Sequence, residues 1–249
     1  MKPCLAAVLV WASLLAFAPS LAAPKLVLTH LKGPLYVAED YLYAKENSIV
    51  YAGRDHVTVV GATWTPETAK LLAAEIRKIT SKPITEVVDT NHDLDRTGGN
   101  AYFRSIGARI VATRLTRDLL KKDGADAVRQ VARMFPGYPD VPIVLPDETF
   151  AGDFELQGGA VRGIYLGPSH KPDDIFVWFP KEKVLYGGCI LKEELGNLDG
   201  ADLAEYPRTL RKLKALHLDI RTVVSGHYSP LHGPELIDRY LALLAQDKK

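Results

Sequence analysis

From residue 26 onward the chain opens on short apolar or alternating runs, Leu26–Leu31, Leu35–Ala38, Tyr41–Ala44, Ser48–Ala52 and His56–Ala62. Gly, Asn and Asp break these runs, and period-two patterning between such breakers predicts a meander of β-strands. The period then changes. Thr65 is placed to cap a helix, with Pro66 at its first position and Glu67 complementing the dipole. Leu72, Ile76 and Ile79 share one face, and Ser81-Lys82-Pro83 ends the element.

Strand Ile84–Val88 runs directly into Asn91-His92-Asp93-Leu94-Asp95-Arg96, so this polar cluster belongs to a strand-to-helix loop. Gly98-Gly99 permits a tight turn, and a short helix from Asn100 ends at Gly107. Arg109–Thr113 reads as a further strand and Thr116–Met134 as a helix broken near Gly124. Beyond it the predicted strands are Ile143–Leu145, Phe154–Leu156, Val161–Leu166, Ile175–Phe179 and Lys183–Tyr186, followed by a helix near Leu203–Leu216. Strand Thr222–Val224 empties into Ser225-Gly226-His227, and a closing helix over Pro234–Ala245 carries Leu236, Tyr240, Leu243 and Leu244 at helical spacing. Such alternation suits a layered α/β domain. Polar clusters at strand ends in both halves are where one site can be assembled.

The first residues differ from all of this. Met1-Lys2-Pro3, an apolar stretch from Leu5 to Phe17 and Ser20-Leu21-Ala22 have the form of a secretory signal peptide, with cleavage expected after Ala22 and a periplasmic destination. The apolar core is short for a membrane span, and no later stretch is apolar enough for one. Cleavage leaves about 225 residues, a length for one large α/β domain over 23–249. Lys and Arg number 31 against 30 Asp and Glu. That balance provides no field for gathering nucleic acid or an anionic membrane, and the mature chain is expected to be a monomer.

Cys4 lies in the expected leader, which leaves Cys189 alone and rules out an internal disulfide. A lone thiol in an oxidising compartment is either buried and inert, paired between chains, or held by a metal as a thiolate. The Asn91–Arg96 loop, His170, Cys189 and His227 each lie beside glycine or at a strand end, and together they offer Asp, Cys and His. Zinc accepts that mixed set tetrahedrally, with a fourth position open to water or substrate.

Several ordered motifs add to this reading: VVGATWTPETAK over Val59–Lys70, TN-x-x-x-DR-x-GGNAY over Thr90–Tyr102, GPSHKPDDIFVWFP over Gly167–Pro180, LYGGCILKEELGNL over Leu185–Leu198, and SGHYSPLHGPELIDRY over Ser225–Tyr240. Across nearly the whole mature chain these residues resemble the metallo-β-lactamases, and specifically subclass B2, the mono-zinc carbapenem-hydrolysing enzymes. The resemblance implies a four-layer αβ/βα sandwich with the site at the edge of two facing sheets. It implies one zinc on Asp95, Cys189 and His227, and a small-molecule β-lactam substrate. Asn91 matches the asparagine that marks this subclass and is expected near the substrate. His170 matches the histidine of a second, weak or inhibitory metal site. Lys192 and Asn197 match residues that meet the carboxylate and the carbonyl of the lactam.

Two positions depart from the pattern. Asp93 stands where the subclass has a histidine near the attacking water, and His92, one place earlier, should point to the other side of an extended loop. Gly188 stands where asparagine usually precedes the cysteine. Asp93 would serve with Asp95 as general base, or would join His170 in an oxygen-rich second metal site. The resemblance thus implies hydrolysis of a β-lactam by water. Two rival readings remain: a hydrolase of the same fold acting on another ester, thioester, lactone or phosphoester, and a zinc-binding periplasmic protein with little catalysis.

Overall fold

The computed structural model describes residues 25–246, so the expected signal peptide and Cys4 lie outside the described residues. Strands β1 (Leu26–Lys32), β2 (Leu35–Asp40), β3 (Glu46–Ala52) and β4 (Val57–Val60) pair successively in antiparallel fashion. Helix α1 (Pro66–Ile79) then crosses back, and β5 (Ile84–Val88) lies parallel to β4. Parallel neighbours require such a crossover. The short helices α2 (Leu94–Thr97) and α3 (Asn100–Ser105) lead to β6 (Arg109–Thr113), and α4 (Arg114–Met134) leads to β7 (Glu148–Phe150), both strands again parallel to their neighbours. These seven strands form one sheet in sequence order.

The second sheet takes β8 (Phe154–Leu156), β9 (Val161–Ile164), β10 (Phe176–Phe179) and β11 (Val184–Gly188) in an antiparallel run. Helix α5 (Tyr206–Ala215) returns the chain to β12 (Thr222–Ser225), parallel to β11, while β13 (Leu231–His232) forms the edge and α6 (Leu236–Gln246) closes the chain.

Alternation along the strands sorts the core into layers. Leu35, Val37, Ile49 and Val60 of the first sheet meet Val177, Phe179, Tyr186 and Val224 of the second. Their neighbours Val50 and Val59 face outward beneath α1 and α3, against Leu72, Ile76 and Phe103. On the far side Phe176, Trp178 and Leu185 pack under Leu210 of α5 and Tyr240 of α6. Burial of each such side chain stabilises the fold by about 1.5–3 kcal/mol relative to exposure. The result is a four-layer αβ/βα sandwich.

Local chemistry explains where the elements begin. Thr65 accepts from the Thr68 amide at 3.2 Å while the Thr68 hydroxyl accepts from the Thr65 amide at 3.0 Å, so a reciprocal capping box starts α1. Four expectations need correction. Tyr41–Ala44 is not a strand, because the Asp40 carboxylate accepts from the Leu42 amide and turns the chain there. Ile143–Leu145 is irregular, held between Pro142 and Pro146, and the pairing strand is Glu148–Phe150 instead. Helix α4 does not break at Gly124, where a side chain would come within 3.1 Å of Ile143 and glycine allows that close packing. The helix expected from Leu203 starts at Tyr206, with Pro207 in its first turn.

Candidate metal centre

Three strand ends build the site. Asp95 sits in the first turn of α2 beyond β5, Cys189 directly follows β11, and His227 lies two residues beyond β12. Asn47 of β3 ties the sheets together here: its amide donates to the Gly226 carbonyl at 2.8 Å and its Nδ2 to the Ser225 carbonyl at 3.0 Å. Clefts outside the carboxyl ends of parallel strands are where α/β sheets gather function.

The donor atoms of Asp95, Cys189 and His227 all lie within 4.8 Å of one another. Cys189 Sγ is 3.5 Å from Asp95 Oδ2 and 3.7 Å from His227 Nε2, and that Nε2 is 3.2 Å from Asp95 Oδ2. Tetrahedral zinc with ordinary bond lengths separates its donors by about 3.4–3.6 Å, so this set fits the ion. The imidazole is also oriented for it. Nδ1 of His227 can only donate to the Lys45 carbonyl, 2.9 Å away, which leaves the Nε2 lone pair facing the other two donors.

Beneath the trio lies Arg96, fully buried. Its Nε donates to Cys189 Sγ at 3.2 Å, one terminal nitrogen meets Asp95 at 2.8 Å, and the other meets Glu46 at 3.0 Å. Burial pushes the Cys189 thiol above its ordinary pKa, with Arg96 pulling the other way. Burial also opposes ionisation of Asp95, but the Arg96 guanidinium and His227 outweigh it and hold the carboxyl well below the usual range.

The cleft has two unlike ends that share Ala44, His170, Asn197 and His227. One end is apolar, walled by Trp64, Leu94, Val131, Met134 and Phe135. The other contains Lys45, Lys192 and Tyr228. Lys192 is buried and makes no ion pair or hydrogen bond among the described residues. Burial lowers its pKa. Asn197 accepts from the Asp199 amide through Oδ1, which leaves its Nδ2 for the cleft.

The remaining expected residues divide. His170 lines the cleft with Nε2 3.9 Å from Asp93 Oδ2, and its buried Nδ1 has no partner. Burial, then the ammonium groups of Lys192 and Lys171, push its pKa down to about 2, so the ring is neutral. Asp93 also lines the cleft. Asn91, expected near the substrate, has no exposed surface: its Nδ2 donates to Asp174 Oδ1 at 2.7 Å and its Oδ1 accepts from the Asp93 amide at 2.9 Å, so it braces the loop. His92 turns away and meets Asp173 at 2.7 Å through Nδ1. Gly188 adopts φ +50°, a left-handed conformation open to glycine and tolerated by asparagine, which accounts physically for an Asn-to-Gly departure there.

Two features escaped the sequence reading. Lys171 reaches Asp93 Oδ1 at 3.3 Å, a contact between loops that no spacing rule signals. Glu46, the buried counter-ion of Arg96, opens β3 beside the polar Asn47 and Ser48, so the local pattern did not signal its burial.

The site and fold have known counterparts. A sequence model described as Metallo-beta-lactamase superfamily matches residues 44–227. Metallo-beta-lactamase IND-1 of Chryseobacterium indologenes is 29% identical over 185 residues, spanning 73% of this chain and 71% of that protein. A Metallo-beta-lactamase type 2 of Elizabethkingia meningoseptica is 29% identical over 216 residues, spanning 82% and 79%. Among solved structures, VMB-1 superposes with a TM-score of 0.79 at 23% identity, covering 92% of this chain and all 100% of its own, a likeness of fold. A match over well more than half of the chain, on the sandwich and strand ends described above, identifies it as an enzyme of the metallo-β-lactamase superfamily.

Proposed function

We propose that this enzyme hydrolyses β-lactams, carbapenems among them, with one zinc ion held by Asp95, Cys189 and His227, and that it does so as an exported periplasmic monomer of the B2 kind. The observation that carries the reading is a trio of donors at tetrahedral spacing in the same cleft as a buried ammonium, Lys192, that has no counter-ion among the described residues. A bound zinc ion supplies Lewis acidity to the lactam and compensates charge on the departing nitrogen.

The chain's own groups do the rest. Lys192 receives the carboxylate that β-lactams carry beside the ring nitrogen, a charge-assisted contact strengthened by desolvation. Asn197 Nδ2 donates to the lactam oxygen and favours the charge that develops on it. The apolar wall of Trp64, Val131 and Phe135 excludes water from the ring's far side. Asp95 remains ionised as a ligand. Asp93, which lines the cleft beside the trio, accepts the proton of the attacking water at Oδ2. His170, neutral, lies with Nε2 3.9 Å from that oxygen.

Asp93 in place of imidazole also supports a second reading, hydrolysis of another ester, thioester, lactone or phosphoester. Steady-state turnover of a carbapenem, with and without a chelator, beside an ester and phosphoester panel, separates the readings. Chelator-sensitive carbapenem hydrolysis is expected. Turnover of the panel alone supports the second reading, and zinc binding without any turnover overturns both.

A further inference from the structure

We propose that the ammonium of Lys171, ion-paired with Asp93, stands in for a second metal ion and keeps the cleft a single-metal site. The proposal rests on the reading that Asp95, Cys189 and His227 hold zinc.

A second cation in this cleft would have to draw on Asp93 and His170, whose Oδ2 and Nε2 lie 3.9 Å apart, with Asp199 the other carboxylate on the wall outside the trio. Each is already committed or starved of help. Asp93 Oδ1 lies 3.3 Å from Lys171 Nζ, and the same ammonium donates to the Asp199 carbonyl at 3.2 Å, so it is anchored on both sides of the cleft mouth. Its side chain is only 19% exposed, unlike a surface lysine that swings freely. Asn91 and His92, the loop's other potential donors, are spent on Asp174 and Asp173. Among the described residues, the donor trio is the group whose geometry could hold an ion.

Electrostatics points the same way. A divalent ion between Asp93 and His170 would face the Lys171 ammonium, which already lies 3.3 Å from Asp93 Oδ1, and would share the cleft with the Lys192 ammonium. Repulsion between charges at about 4 Å is large even with the screening of a protein surface. Entry of the ion would require Lys171 to leave both Asp93 and the Asp199 carbonyl. The fixed cation also explains how a carboxylate is tolerated where an imidazole would be neutral: the pair keeps this wall of the cleft close to zero charge.

The test is zinc stoichiometry of the metal-stripped full chain, by equilibrium dialysis with metal analysis, for the wild type, Lys171→Met, Lys171→Ala and the charge-keeping Lys171→Arg. Cobalt(II) titration reports the first site separately through its thiolate charge-transfer band. Wild type and Lys171→Arg should bind one zinc, whereas either neutral variant should take up a second with affinity about a hundredfold or more above that of the wild type. A wild type that binds two ions with similar affinity, or neutral variants that remain at one, overturns the proposal. Absence of the cobalt–thiolate band in the wild type would instead refute the underlying reading of the trio.

Discussion

Arg96 offers a quantitative test of how the site is held before any ligand arrives. Replacement by methionine keeps most of the buried volume and removes a guanidinium that contacts Asp95 at 2.8 Å, Cys189 at 3.2 Å, Glu46 at 3.0 Å and the Asn47 and Gly226 carbonyls at 2.9 Å each. Glu46 is then left fully buried with only the Ser48 hydroxyl as partner. Breaking a buried pair in this way costs about 3–5 kcal/mol. Urea unfolding of the metal-free protein, followed by tryptophan fluorescence, should show that loss near neutral pH. Burial already raises the Glu46 pKa, and without Arg96 the chief opposing influence disappears, so the folded variant binds the Glu46 proton more tightly than the unfolded chain does. A raised carboxyl pKa penalises the folded state above that pKa, and the Arg96→Met deficit should therefore shrink as pH falls. Adding Glu46→Gln should recover much of the stability, because an uncharged pair of similar volume replaces the ionic one. Zinc affinity, measured by competition with a chromophoric chelator, should stay about 10–100-fold weaker in both variants, since two donors have lost the group that orients them. A loss below about 1 kcal/mol in the single variant would refute the claim that this guanidinium anchors the centre.

Lys192 and Asp40 give two further tests. Lys192→Met should raise KM for a carboxylate-bearing β-lactam by about 10–150-fold, equivalent to a hydrogen bond to a charged group, with a much smaller effect on kcat. The same variant should be more stable by about 0.5–2 kcal/mol, since a buried ammonium without a counter-ion is removed; a fall in stability would contradict that account. Burial pushes Asp40 up to about 6 from 3.8. Its folded form binds protons more tightly than the unfolded chain, so wild-type stability should decline as pH rises from about 4 to about 6, by about 3 kcal/mol from this group. Asp40→Asn should lose that slope in unfolding curves across the interval, and an unchanged slope would show that Asp40 does not cause it.

What the sequence disclosed follows from which signals are local. Most strands of the two sheets and the capped helix α1 were legible because period, cap and breaker all lie within a few residues of one another. Strand-end position narrowed the donors only to the Asn91–Arg96 loop, His170, Cys189 and His227; the family resemblance singled out Asp95, Cys189 and His227, which the structure brings within 4.8 Å of one another. Misreadings arose where a distant contact decided the outcome. Gly124 looked like a helix break, yet Ile143 packs against it and the helix runs through. The bracing of Asn91 against Asp174, far along the chain, gave no local signal either. Lys171 carried no signal at all, because its importance depends on a loop more than seventy residues earlier.

Charge pairing connects these residues to the substrate. Two of the site's buried or half-buried anions are matched by a cation of the chain: Glu46 by Arg96, and Asp93 by Lys171. Asp95, which also meets Arg96 at 2.8 Å, and Cys189 are the donors proposed to offset a divalent ion. That leaves Lys192, buried, facing the cleft and unmatched among the described residues. An unpaired buried ammonium destabilises the folded chain, so its retention calls for a compensating partner. Under the proposed function a substrate carboxylate is that partner, arriving in the cleft that the donor trio and Asn197 line. The same pairing explains why altering Lys171 should change metal count whereas altering Lys192 should change substrate binding: one ammonium is spent on the protein, and the other is not.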